Sequence, residues 1–148
     1  MADDETMRAL EHEMWVLVRR IRRLVAERAA LVDPDLSSVG YSMLIALQDG
    51  PRRASDLVDT FSIDKGAVSR QVQALLELEL IDRSPDPEDR RAAILSITAK
   101  GTSSLETVAE RRRAEIGGRL SSWQPEELRD FVESLARYNR TLEAPQGS

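Results

Sequence analysis

The chain has 148 residues, with 21 Lys or Arg, 26 Asp or Glu, no Cys and a formal net charge of −5. That length suggests one domain, which can bury ~70% of its unfolded surface without a disulfide or metal staple. The lack of cysteine excludes thiolate zinc sites, thiol catalysis and thiol redox sensing, and fits a reducing compartment. A lone histidine, His12, makes neither a metal site nor a catalytic triad, and no cofactor loop is present, so an enzyme is not expected.

The N-terminal stretch MADDETMRALEHEM is acidic and lacks the basic-then-apolar order of a signal peptide. Residues 5–32 read as one long helix. Leu10, Met14, Leu17, Ile21 and Leu24 follow heptad spacing on one face, and Trp15, Val18, Val25 and Val32 widen it. Asp33-Pro34-Asp35 breaks the helix, because the residue before proline is pushed out of the helical region. A second helix over 36–48 carries Leu36, Val39, Met43, Leu44 and Leu47 and stops at Asp49-Gly50-Pro51. A short helix over 53–60 is anchored by Leu57, Val58 and Phe61. The next, over 65–78, places Val68, Val72, Leu75 and Leu76 on one face behind Asp64, an N-cap. Two β runs, Leu80–Ser84 and Ala92–Ile97, flank a charged, proline-rich tip from Pro85 to Arg91. A helix runs from Thr98 to about Ile116, where Gly117-Gly118 stops or kinks it. Pro125 opens the last helix, whose stripe is Leu128, Phe131, Leu135, Tyr138 and Leu142. Residues 144–148 read as a frayed tail. No apolar run approaches the ~18 residues of a membrane span, so a cytoplasmic protein without a membrane partner is expected.

Residues 53–78 are the informative part. A short helix, a turn of about four residues and a helix with one apolar face make a helix-turn-helix. Burying Val68, Val72 and Leu75 turns Lys65, Gly66, Ser69, Arg70 and Gln73 outward near the helix N-terminus. In this motif that end enters the major groove of DNA, where Arg pairs with guanine and Gln with adenine. The acidic total opposes this reading, and residues 51–100 carry eight Lys or Arg against nine Asp or Glu. Only the face presented to phosphate must be basic, however. Lys65 and Arg70 lie on that face, while Glu77 and Glu79 sit at the far end.

The segment DPEDRRAAILSITAKG, residues 86–101, carries Asp89-x-Arg91, alternating apolar residues from Ala93 to Ile97, and Thr98-x-x-Gly101. With IDKGAVSRQVQALLELELIDR upstream, residues 63–83, the chain resembles the MarR family of bacterial regulators over about residues 8–142. The resemblance implies a mainly α fold: a winged helix-turn-helix with a small β-hairpin wing and terminal helices that form a dimerisation region. It implies a single domain over 1–143, with the DNA-binding lobe at about 36–97 and dimerisation helices at about 5–32 and 98–142. The dimer interface would hold Leu10, Met14, Leu17, Leu128, Phe131, Leu135 and Leu142. Lys65, Gly66, Ser69, Arg70 and Gln73 would read the major groove. Arg91, with Arg90 beside it, would enter the minor groove, and Asp89 would hold the wing through a salt bridge. Ser62 and Glu79 stand where many members carry glycine, a residue suited to positive φ.

Some readings stay open. Arg52 and Arg53 either touch phosphate or sit in solvent. Met14, Trp15, Tyr41 and Met43 either line a pocket for a small aromatic effector or belong to the core. Arg111-Arg112-Arg113 reads as a solvated helix face. The expected function is a sequence-specific regulator of transcription, a ligand-responsive repressor acting as a homodimer on a pseudo-palindromic operator in double-stranded DNA. The alternative is a winged-helix module that binds protein and not DNA, which the acidic total favours.

Overall fold

A computed structural model describes residues 3–143; the expected tail, 144–148, lies outside them. The elements are α1 (Asp4–Val32), α2 (Ser38–Gln48), β1 (Arg52–Arg53), α3 (Ala54–Phe61), α4 (Lys65–Glu77), β2 (Ile81–Pro85), β3 (Ala93–Ile97), α5 (Ala99–Arg119) and α6 (Pro125–Glu143). They form the mainly helical winged helix-turn-helix class that was expected. The chain falls into two compact units, Met1–Ala109 and Glu110–Ser148.

Side-chain caps place the helix starts. Asp3 accepts from the Thr6 N–H at 2.7 Å, Ser37 from Gly40 at 2.9 Å and Asp64 from Ala67 at 2.8 Å. Ser37 starts α2 later than apolar spacing suggests and leaves Leu36 outside the helix, buried in the core. Two features depart from expectation. Arg52 and Arg53 form a short strand opposite Leu95 and Ile94, giving the sheet order β1-β3-β2. Two residues leave no alternation to read; the free edge of β3 recruits them. α5 also runs through Gly117 and Gly118 to Arg119. Each glycine costs helix stability without ending the helix.

The core of the first unit joins Met43, Leu44 and Leu47 of α2 to Leu57 of α3, to Val68, Val72 and Leu75 of α4, and to Leu80, Ile81 and Leu95. Ala29, Leu105 and Val108 close it. Each such side chain stabilises the lobe by ~1.5–3 kcal/mol on burial. In the second unit, Trp123 meets Phe131 edge to face with ring centroids 5.8 Å apart. No residue of α6 is buried.

The turn between α4 and β2 is built around a strained residue. Glu79 has φ 60 and Ser62, at the end of α3, has φ 51. Both positions expected to carry glycine therefore adopt the left-handed conformation, at a cost on the order of 1 kcal/mol each. Glu79 is held there by neighbours: its carbonyl accepts from Thr98 Oγ at 2.8 Å, and the Leu80 N–H reaches Leu75 O at 3.0 Å. Lys100 Nζ donates to Leu78 O at 2.8 Å. The start of α5 lies so close to this turn that a Cβ on Gly101 would stand 2.3 Å from Leu80 O. Two outcomes should show in urea unfolding. Glu79→Gly should stabilise by about 1 kcal/mol through relief of the positive φ. Gly101→Ala should destabilise by ~1–3 kcal/mol, because the obstacle is backbone and not a flexible side chain.

Candidate nucleic-acid interface

The orientation of α4 follows from its buried side. Val68, Val72 and Leu75 are at most 5% exposed. Lys65, Gly66, Ser69, Arg70 and Gln73 consequently face solvent. A polar clasp fixes the helix further. The Gly40 N–H donates to Ser37 Oγ, and the Ser37 hydroxyl donates to Gln71 Oε1 at 2.6 Å. Gln71 was not singled out from sequence; its signal is a polar residue on the flank between Val68 and Val72. Arg70 curls back toward the helix start, with Nη1 3.6 Å from where a Cβ on Gly66 would be. Gln73 lies along the helix and donates its amide to Glu77 at 3.3 Å.

The hairpin tip is made of two successive aspartate turns. Asp86 Oδ1 accepts from the Glu88 N–H at 2.9 Å, and Asp89 Oδ1 accepts from the Arg91 N–H at 3.0 Å. The second turn corrects the expected salt bridge of Asp89. Its carboxylate takes the backbone N–H two residues on, because that donor is delivered by the turn itself, and the Arg91 side chain stays exposed. The wing's ion pair belongs to Asp86, which is 3% exposed and lies 2.5 Å from the Arg53 guanidinium. Glu88 approaches the same guanidinium at 3.7 Å. Arg52 Nε donates to Ala46 O at 3.2 Å. Arg52 and Arg53 thus each have a partner within the lobe.

α3, the start of α4 and the wing enclose a groove of about 520 Å³. Lys65 and Ser69 line it from α4, Asp89 and Arg91 from the tip, and Arg53 and Arg83 from the sheet. Arg83 escaped the sequence reading. It lies two residues beyond the buried Ile81 and opposite Leu95, so it leaves the core-facing side of the sheet at its outer end. Among the described residues, no carboxylate pairs with Lys65, Arg70, Arg83, Arg90 or Arg91.

The four residues considered for an effector pocket differ in exposure. Met43 is fully buried and Tyr41 is 3% exposed, both in the core, whereas Trp15 on α1 is 67% exposed. Met14 is half-buried. A different cavity of about 450 Å³ opens among Ile21, Arg22, Val25, Ser38, Val39, Ser42, Phe61 and Ile63. Of the residues expected at a dimer interface, Leu10, Leu17, Leu128, Phe131 and Leu142 are exposed, while Met14 and Leu135 are half-buried.

The pattern that defines the MarR family matches residues 35–92. YxaD of Bacillus subtilis (strain 168), described as an HTH-type transcriptional regulator, is 30% identical over 143 residues, covering 96% of this chain and 99% of its own. The chain belongs to the MarR family. This MarR-family protein is a transcriptional regulator by that kinship. NicR of Pseudomonas putida, an HTH-type transcriptional repressor, is 35% identical over 77 residues, 51% of this chain and 49% of its own. RV1404 of Mycobacterium tuberculosis has the same fold, with a TM-score of 0.78 at 26% identity over 99% of each chain. Among the described residues no helix is long and apolar enough to cross a membrane.

Proposed function

We propose that this MarR-family regulator is a sequence-specific repressor that binds a pseudo-palindromic operator in double-stranded DNA as a two-fold homodimer. One observation supports the reading: a single groove collects Lys65 and Ser69 from the start of α4 with Arg83 and Arg91 from the wing, and among the described residues these cations have no carboxylate partner. A helix start that enters a major groove places the wing over the neighbouring minor groove. Lys65, Gly66, Ser69, Arg70 and Gln73 meet the base edges and adjoining phosphates. Arg91 enters the minor groove, where narrow A/T-rich sequence concentrates negative potential, and Arg90 meets its phosphates. Asp89 sets the backbone from which Arg91 projects. Arg83 takes the phosphate role considered for Arg52 and Arg53. NicR's description as a repressor supports the sign of regulation.

A second copy of the chain covers the apolar faces. Leu10, Met14 and Leu17 on α1 and Leu128, Phe131, Leu135 and Leu142 on α6 carry heptad-like stripes that stay largely uncovered within one protomer. The 450 Å³ cavity suits a small aromatic acid, with Ile21, Val25, Val39, Phe61 and Ile63 around the ring and Arg22 for the carboxylate. Occupancy there regulates DNA binding only if it favours one of two lobe arrangements.

Selection from a random duplex pool should yield a palindrome with half-site centres about 34–36 Å apart. Arg70→Ala should cost ~1–3 kcal/mol and relax preference at one position per half-site. Arg91→Ala should weaken binding, flatten its salt dependence and reduce preference for A/T-rich flanks. If both variants bind every duplex as the parent does, the protein is a winged-helix module for protein partners instead. Light scattering at micromolar concentration should give twice the protomer mass; a stable folded monomer would defeat the dimer. Benzoate should lower operator affinity, and Val39→Trp, which fills the cavity, should abolish that response while DNA binding persists. Operator affinity that ignores every aromatic acid tried would remove the effector role.

A further inference from the structure

The wing tip needs a fixed place. Residues 86–92 lie beyond the last β2–β3 pair, Pro85 opposite Ala93, and β1 reaches only Leu95 and Ile94. The two aspartate turns shape the tip but do not attach it to the rest of the lobe. That attachment comes from Asp86, the one buried charged residue among those described. Its Oδ2 lies 2.5 Å from the Arg53 guanidinium, the one cation paired with it among the described residues. A carboxylate so enclosed is costly without its counter-charge, and even with it a buried pair is seldom more stable than an apolar pair of the same size. Stability alone does not account for it.

Its geometry does. Arg53 is held at its backbone and at its head group. Its backbone pairs with Ile94 in the sheet and caps α3, where its N–H donates to Asp56 Oδ2 at 3.3 Å. α3 packs on α4. The Arg53 head group therefore ties the base of the wing tip to the element that carries the recognition helix. Asp86 opens the tip and Arg91 closes it, with the Asp86 N–H bonded to Ala92 O at 3.1 Å.

We propose that the Arg53–Asp86 pair is a positioning device for the wing, fixing where Arg91 stands relative to Lys65 and Ser69 and so determining how operator flanks are discriminated. The pair also silences Arg53, a cation in the groove that would otherwise grip any phosphate. The inference rests on the DNA-binding reading above.

The test compares variants on the palindrome selected from a random pool, with A/T-rich or G/C-rich flanks, and on random-sequence duplex. Asp86→Asn should lose flank discrimination to the level of Arg91→Ala. It should also bind random duplex more tightly, with a salt slope steeper by about 1.8 for one added phosphate contact per protomer, two per dimer. A merely destabilising change would weaken both kinds of binding. Arg53→Lys, which keeps the charge, should retain flank discrimination. The double variant Asp86→Asn/Arg91→Ala should discriminate no worse than Arg91→Ala, because both act through the same arginine. If Asp86→Asn fails to fold, Arg53→Met/Asp86→Met removes both charges together and should show the same loss. Unchanged flank discrimination in the folded Asp86 variant, or additive loss in the Asp86→Asn/Arg91→Ala double variant, overturns the proposal. A silent Arg91→Ala would instead overturn the DNA-binding reading on which it stands.

Discussion

The seating of α4 on α2 is the constraint from which the rest of the lobe follows. An α-helix has one rotational degree of freedom about its axis, and its 3.6-residue period couples every position to every other. Once Val68, Val72 and Leu75 are in the core, Lys65, Ser69, Arg70 and Gln73 have no choice but to face outward. Turning the helix enough to reverse this would expose three apolar side chains worth ~1.5–3 kcal/mol each and bury polar ones. That sum is comparable with the whole stability of a small domain, ~5–15 kcal/mol. The Ser37–Gln71 bond adds only about 1 kcal/mol, but it is directional where apolar contact is not. Core packing thus presents a polar surface with little angular freedom.

Charge is distributed on the same logic. The chain is acidic overall, yet many of its charges neutralise each other locally. Asp4 with Arg8, Glu27 with Arg23, and Glu115 with Arg119 are exposed pairs one helical turn apart. Such pairs contribute little to stability. They do lessen the local field where they lie, whereas Lys65, Arg83 and Arg91 in the groove have no carboxylate partner among the described residues, and Asp59 and Asp89 line the same groove. Arg53 is the exception within the groove, being held by Asp86. Net charge is therefore a poor guide to what this protein meets, because the relevant quantity is the field at one surface.

The strained turns have their cause in close packing. Glu79 and Ser62 accept positive φ because the turns they occupy are dictated by the elements on either side. The contact of Gly101 with the Leu80 carbonyl shows how little room the α4–β2 turn has to relax. α1 and α6 are the opposite case. Ala29 is the sole buried residue of α1, and α6 has none. Both leave large apolar side chains exposed, among them Trp15 and Ile21 on α1 and Phe131 and Leu142 on α6.

Much of this was legible in the sequence. Helix positions were readable because apolar spacing, Asp64 and the proline breaks act locally, and the recognition face followed from Val68, Val72 and Leu75 by periodicity alone. The wing was legible from Asp89-x-Arg91 and the alternation after it. What sequence could not convey were partnerships between residues far apart in the chain. Arg53 and Asp86 are 33 positions apart and Ser37 and Gln71 are 34; neither pairing leaves a periodic signal. The two-residue β1 exists only because β3 offers a free edge, and Arg83 reaches the groove only because the sheet ends there. Tyr41 and Met43 looked equally suited to a pocket or a core until the packing of α2 enclosed them. Local backbone preference and hydrophobic period are written residue by residue. Which carboxylate faces which guanidinium is decided when the elements pack, because ion-pair geometry depends on distances through space and not along the chain.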